Sequence, residues 1–127
     1  MSMQKLFRFA FIIFFLFAGA YHFVNPSFYL GMIPDYIPEA KLVNTLTGLT
    51  ELLIGVLAIF GSTRKIAAYL AIALLTAFIP AHLYFIQIGS CIPDGLCVPE
   101  WLSYLRLLVV HPLLYTWAWY IKYEGKD

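Results

Sequence analysis

Residues 6–24 read LFRFAFIIFFLFAGAYHFV, an apolar run interrupted only by Arg8 near its start and His22 near its end. A helix rises about 1.5 Å per residue, so the run comes close to crossing the ~30 Å hydrocarbon layer of a bilayer. Lipid offers no partner to a bare backbone amide, and such a run is therefore expected to be helical rather than extended. Three further runs follow, at residues 42–60, 66–88 and 101–121. The fold they specify is an all-α membrane protein, a four-transmembrane-helix bundle in one domain over residues 1–127.

Composition points the same way. The chain is 62% hydrophobic and 12% charged, and eight basic plus seven acidic residues cannot clothe a soluble domain in polar side chains. A net charge of +1 with no basic stripe excludes nucleic acid as a partner and leaves the lipid bilayer as the expected one. Aromatic residues gather near the ends of the runs, where amphipathic rings favour the headgroup level.

The breaks between runs carry turn residues. Asn25-Pro26 ends the first span, Pro34 and Pro38 keep the next segment irregular, Gly61-Ser62-Thr63 makes a tight turn, and Ile92-Pro93-Asp94-Gly95 a longer loop. Basic residues set the orientation. Lys5, Arg8, Arg64, Lys65, Lys122 and Lys126 flank the two termini and the middle turn, whereas the other two loops hold Asp35, Glu39, Asp94 and Glu100 against Lys41. The positive-inside rule places both termini in the cytoplasm. Lys5, the apolar stretch and Ala18-Gly19-Ala20 also have the look of a cleaved signal peptide. Against that, the run continues past Ala20, and cleavage would orphan the polar His22.

Cys91 and Cys97 then share an outer loop, in a compartment where disulfides persist. A structural disulfide is the first reading. A redox-active pair is the sharper one, although the spacing is not the Cys-x-x-Cys of thiol oxidoreductases.

Ionisable residues inside a span are expensive and tend to mark function. Five occur here: His22, Glu51, His82, Arg106 and His111. At about 1.5 Å per residue His22 lies near the outer end of its span, His82 and Arg106 roughly 6–9 Å deeper, and Glu51 and His111 nearer the midplane. Each span contributes at least one, which predicts a single ligand-binding polar pocket facing outward. On span two, Asn44, Thr47, Gly48, Glu51 and Gly55 follow helical steps and share a face, the glycines admitting a neighbouring helix beside the carboxylate. On span three, Ala73, Ala77 and Ala81 form a small-residue stripe. Pro80 and Pro112 each free the carbonyl four residues upstream, on Thr76 and Leu108. The bland alternative is that a Glu–Arg pair and bridging histidines merely hold the helices together. No pair has the Glu-x-x-His or His-x-x-x-His spacing of bundle metal sites, so no metal is expected. A haem held by His22 and His82 is a minor alternative.

The two halves echo each other. Ala20-Tyr21-His22-Phe23 parallels Pro80-Ala81-His82-Leu83, Ile33-Pro34-Asp35 parallels Ile92-Pro93-Asp94, and Glu51 aligns with His111. Two pseudo-repeated helical hairpins are the simplest reading.

Over nearly its full length the chain resembles the DoxX-like family of small four-span membrane proteins. The resemblance is carried by Ala18-Gly19 with His22 and Pro26, by Pro34 and Pro38, by Gly48 and Glu51, by Pro80-Ala81-His82, and by Arg106-Leu107 with Pro112 and Trp117-Ala118-Trp119. The family often has asparagine where His82 stands, and glutamine shortly after the proline region of span four, where this chain has His111 nearby. The resemblance implies a bacterial inner (cytoplasmic) membrane protein and a four-helix bundle. It implies little about activity, since relatives range from quinone-linked oxidoreductase subunits to assembly factors.

Three functions compete. The first is a membrane redox or ligand-binding component, in which Glu51, His82, Arg106 and His111 hold a quinone between aromatic walls (Tyr21, Phe78, Tyr84). The second is a non-enzymatic accessory or assembly subunit that binds a lipid headgroup, a membrane-protein partner or a second copy. A transporter ranks last, because four spans alone make a short pathway and the sequence has no interrupted helix pair of the kind that marks such sites.

Overall fold

The computed structural model describes residues 1–123, and the regular structure among them is helical. Helix α1 is Met3–Val24, α2 Pro26–Leu30, α3 Ala40–Ile59, α4 Arg64–Ala77, α5 Ile79–Gln87 and α6 Glu100–Leu105; a π-helical turn, Arg106–Val110, joins α6 to α7, His111–Tyr123. Three segments are long and apolar enough to cross a membrane: Met3–Val24, Ala40–Ile59 and Arg64–Gln87, the last made of α4 and α5. Residues 100–123 are helical throughout but change their winding midway. The helices start one to three residues before the hydropathic runs because polar residues contribute to their first turns, as where Ser2 Oγ accepts from the Lys5 N–H at 3.3 Å. Lys126, one of the residues that orient the chain, lies outside the described residues.

Both expected prolines deform their helices, each just upstream of the ring. The third segment breaks at Phe78, whose N–H is shared between the Leu74 and Leu75 carbonyls at 3.0 and 3.2 Å. Before Pro112 the helix widens into the π turn, and the His111 N–H reaches the Arg106 carbonyl. A proline ring crowds the carbonyl four residues back, and one extra residue per turn relieves it.

Helices α1 and α3 lie in close contact along their length. A Cβ on Gly19 would sit 2.8 Å from both Gly48 O and Leu52 N, and one on Gly48 would sit 2.8 Å from His22 Cβ. The face expected from sequence is accordingly the inner one, with Asn44, Gly48, Glu51 and Gly55 buried and Thr47 half-buried. Around the Gly61 turn a core of Phe11, Phe15, Ile54, Ala58, Ala71 and Ile121 ties α1 and α3 to α4 and α7. The inner face of α4 is Ala67, Ala71 and Leu75; of the small-residue stripe, Ala73 and Ala77 are exposed and Ala81 is half-buried. Two positions along a helix is about 200° around it, so Ala73 turns away from a face that holds Ala71.

The two arginines near the end that holds the Gly61 turn are buried. Arg64, 2% exposed, donates from Nε to Ala58 O (3.2 Å) and from Nη2 to Ile59 O (3.5 Å). Its charge sits on the carbonyls that the end of α3 leaves without helical donors. Arg8 is also buried.

At the opposite end the long loops meet. Cys91 and Cys97 form a disulfide, with their Cα atoms 4.0 Å apart. Between them the Gly95 N–H bonds Ile92 O at 2.9 Å across a turn with Pro93 second and Asp94 third, at φ 57°. That is the type II pattern, which needs a positive φ at its third residue. Ile92 packs with Met32 and Phe85, and Gly31 has no side chain where Ile92 presses on it. Closing so short a loop contributes about 2 kcal/mol. Cys91→Ser is therefore expected to lower stability by about that amount, read by reversible unfolding in detergent, with the helical circular dichroism of the folded state unchanged.

Candidate functional site

Beyond the core the helices enclose a cavity of about 570 Å³. His22, Glu51, His82, Arg106 and His111 all line it. The remaining wall is mostly apolar, with Phe14, Phe15, Phe28, Phe78 and Phe85 prominent, and the loop after α2 adds Met32, Pro34 and Ile37. Of the expected aromatic walls Phe78 lines the cavity; Tyr21 and Tyr84 do not, and Tyr29 takes part instead.

On the α1–α3 side, four groups interlock. Asn44 Nδ2 donates to His22 O at 3.1 Å, and Asn44 Oδ1 lies 2.7 Å from His22 Nδ1. A carbonyl only accepts, so the amide nitrogen must face it; the amide oxygen then faces Nδ1, which carries the hydrogen. His22 Nε2 is thereby left to Glu51, whose Oε2 is 3.1 Å away. With Nδ1 already protonated, that contact is attractive only when a further proton sits on Nε2 or on the carboxyl. The approach is close enough for an ion pair but too oblique for a hydrogen bond, and Oε2 is buried without one. Tyr29 stacks flat on His22, centroids 3.5 Å apart, and its hydroxyl donates to Ala18 O at 3.4 Å. Burial, then the Glu51 charge, pushes the Tyr29 phenol up to about 12, so it stays a donor at neutral pH.

The facing wall is built differently. His111 Nε2 donates to Leu75 O at 2.8 Å, beside the break at Phe78, which fixes Nε2–H and leaves Nδ1 as an acceptor. The carbonyl that Pro80 leaves without its helical donor is the next one along, that of Thr76. Thr76 Oγ1 bonds back to Ile72 O at 2.9 Å and meets Tyr115 Oη at 2.7 Å, so the tyrosine is the donor there. The His82 ring stands edge-on to His111, centroids 4.9 Å apart. Arg106 projects from the π turn as an exposed side chain on the cavity wall. The Glu–Arg pair weighed from sequence does not form: Glu51 is held by His22, and Arg106 has no ion pair among the described residues.

The same relation recurs in both halves. His22 meets Glu51 on the next long helix, and His82 meets His111 on the next, both counterparts displaced by 60 positions. Sequence reasoning did not foresee Asn44 as the residue that orients His22, although it stands two turns before Glu51 on the same face. Nor did it foresee the stacking of Tyr29, for which no periodic signal exists in so short a helix. Among the described residues no group of three histidine, cysteine, aspartate or glutamate side chains is placed to hold a metal ion.

The class is thus an all-helical protein with three helices able to cross a membrane and a polar constellation inside an apolar cavity. The chain belongs to the family described as Domain of unknown function (DUF8561), which it matches over residues 11–122. No curated protein matches it, and no solved structure does.

Proposed function

We propose that this is a four-span membrane protein whose cavity binds a small lipophilic molecule with a polar head, of the quinone kind. One observation carries the reading: every histidine, and the one glutamate of the apolar runs, line a single cavity that is otherwise mainly aromatic and aliphatic. Intramembrane ionisable groups are costly, and their convergence is what a ligand site requires. In this reading Arg106 and His82 donate to one ring carbonyl, while the Glu51–His22 pair accepts from a hydroxyl at the other. Residues 100–123 form the fourth span, the basic residues hold the termini in the cytoplasm, and the cavity faces outward. Kinship with the DoxX-like family, and with it the inner membrane, belongs to the same proposal.

Mass spectrometry of small molecules extracted from protein purified in gentle detergent tests it. A stoichiometric quinone is expected in wild type and is expected to be lost in Glu51→Gln. No specific molecule in either sample would sink the ligand reading.

A second reading, an accessory or assembly subunit, has one observation in its favour. Ala73 is exposed on α4, outside the lining of the cavity, so another membrane helix would fit closely there. A stoichiometric protein partner, lost in Ala73→Leu, would favour it.

A further inference from the structure

The geometry points to a cavity that is entered sideways from the lipid, between the two helical hairpins, by an amphiphile whose tail stays in the bilayer. The inference rests on the membrane reading above and adds the ligand's class and its route.

The two hairpins, α1 with α3 and α4–α5 with the 100–123 helix, are joined through α3 on α4 and, briefly, α1 on α7. Those joints lie in the half of the molecule that holds the core. There Phe7 edges Tyr120 at 5.8 Å, Phe11 edges Trp117 at 5.4 Å, and Trp117 Nε1 donates to Phe7 O at 3.2 Å. Above Phe14 the packing changes. Helices α5 and α6 and the π turn do not pack along α1 or α3; they pack on each other and on their own continuations. The cavity occupies the resulting cleft, with Phe17 on one margin and Val110 on the other, 69% and 42% exposed. On the α3–α4 side the cavity is lined by Thr47 and the exposed Ala77.

The top is covered by contrast. Met32 of the first loop is clustered with Phe85 and with Ile92, which the Cys91–Cys97 turn presents. Water therefore meets a hydrophobic roof, whereas lipid meets two apolar slots that lead to Glu51, His22 and Arg106. A tail left in a slot costs nothing in hydration, and a polar head inside finds a carboxylate, imidazoles and a guanidinium. The site thus suits a membrane-dissolved amphiphile better than a compact water-soluble molecule.

Both native cysteines are in the disulfide, so Thr47→Cys adds a single reactive thiol inside the cavity. In liposomes it is treated with a long-chain N-alkylmaleimide dissolved in the bilayer or with a sulfonated maleimide in the water. Each rate is normalised to that reagent's rate on unfolded protein. The alkyl reagent is expected to label at least about tenfold faster, and Val110→Trp with Ala77→Trp to slow it by a similar factor. Ile37→Trp, on the roof, is expected to leave that rate nearly unchanged. Faster labelling by the sulfonated reagent, or slowing by Ile37→Trp alone, would overturn side entry. So would folded protein that neither reagent labels. Labelling through the sides with no quinone bound removes the quinone proposal and leaves the route; a bound quinone without side labelling does the reverse.

Discussion

Replacing His22 with alanine is expected to destabilise the protein by about 3 kcal/mol or more, the cost of leaving the buried Glu51 carboxyl without its partner. His22 is 4% exposed and Glu51 5%, and the imidazole is the group that meets Glu51 Oε2. Its loss also strands Asn44 Oδ1 and removes the ring on which Tyr29 lies. The test is a double-variant cycle by reversible unfolding in mixed micelles, with helix content as the signal. His22→Ala with Glu51→Gln is expected to be more stable than His22→Ala alone, because the amide cannot carry the uncompensated charge. If both lose the same amount, the cost comes from lost packing and the pair is not electrostatically coupled.

Gly19→Ala is expected to cost about 2–3 kcal/mol, which is large for one methyl group in a helix that alanine otherwise favours. The added Cβ falls 2.8 Å from Gly48 O and Leu52 N, and both are backbone atoms of α3. Backbone cannot rotate aside, so the helices must separate. Separation draws His22 away from Glu51, and ligand retention is expected to fall together with stability. Gly31→Ala is the control: its Cβ would meet Ile92 Cγ2 at 2.6 Å, a side-chain methyl rather than backbone, so a smaller loss of about 1 kcal/mol is expected. Unfolding of both variants side by side gives the order, and equal losses would contradict close backbone contact between α1 and α3.

Much of this architecture is legible along the chain. Apolar runs near membrane length, with Asn25-Pro26, Gly61 and Pro93 between them, predict where the long helices lie, and three of these, Met3–Val24, Ala40–Ile59 and Arg64–Gln87, are long and apolar enough to cross a membrane. The helical period alone places Asn44, Gly48, Glu51 and Gly55 on one face, and the structure buries them. Other features are relations between helices and have no signature within one. Whether Glu51 meets Arg106 or His22 depends on how closely α1 approaches α3, which Gly19 and Gly48 set together. The inner side of α4 follows from its crossing of α3 and α7, and a stripe of small residues read along α4 alone does not say which side that is. The register in which Pro80 and Pro112 distort their helices likewise depends on which neighbour takes up the loosened carbonyl. Here the imidazole of His111 takes that of Leu75. Hydropathy and backbone chemistry act residue by residue, and so the sequence by itself determined the helices and the polar residues they carry. Pairing energies act across gaps of a few ångströms, and so only the tertiary structure decided which of those residues meet.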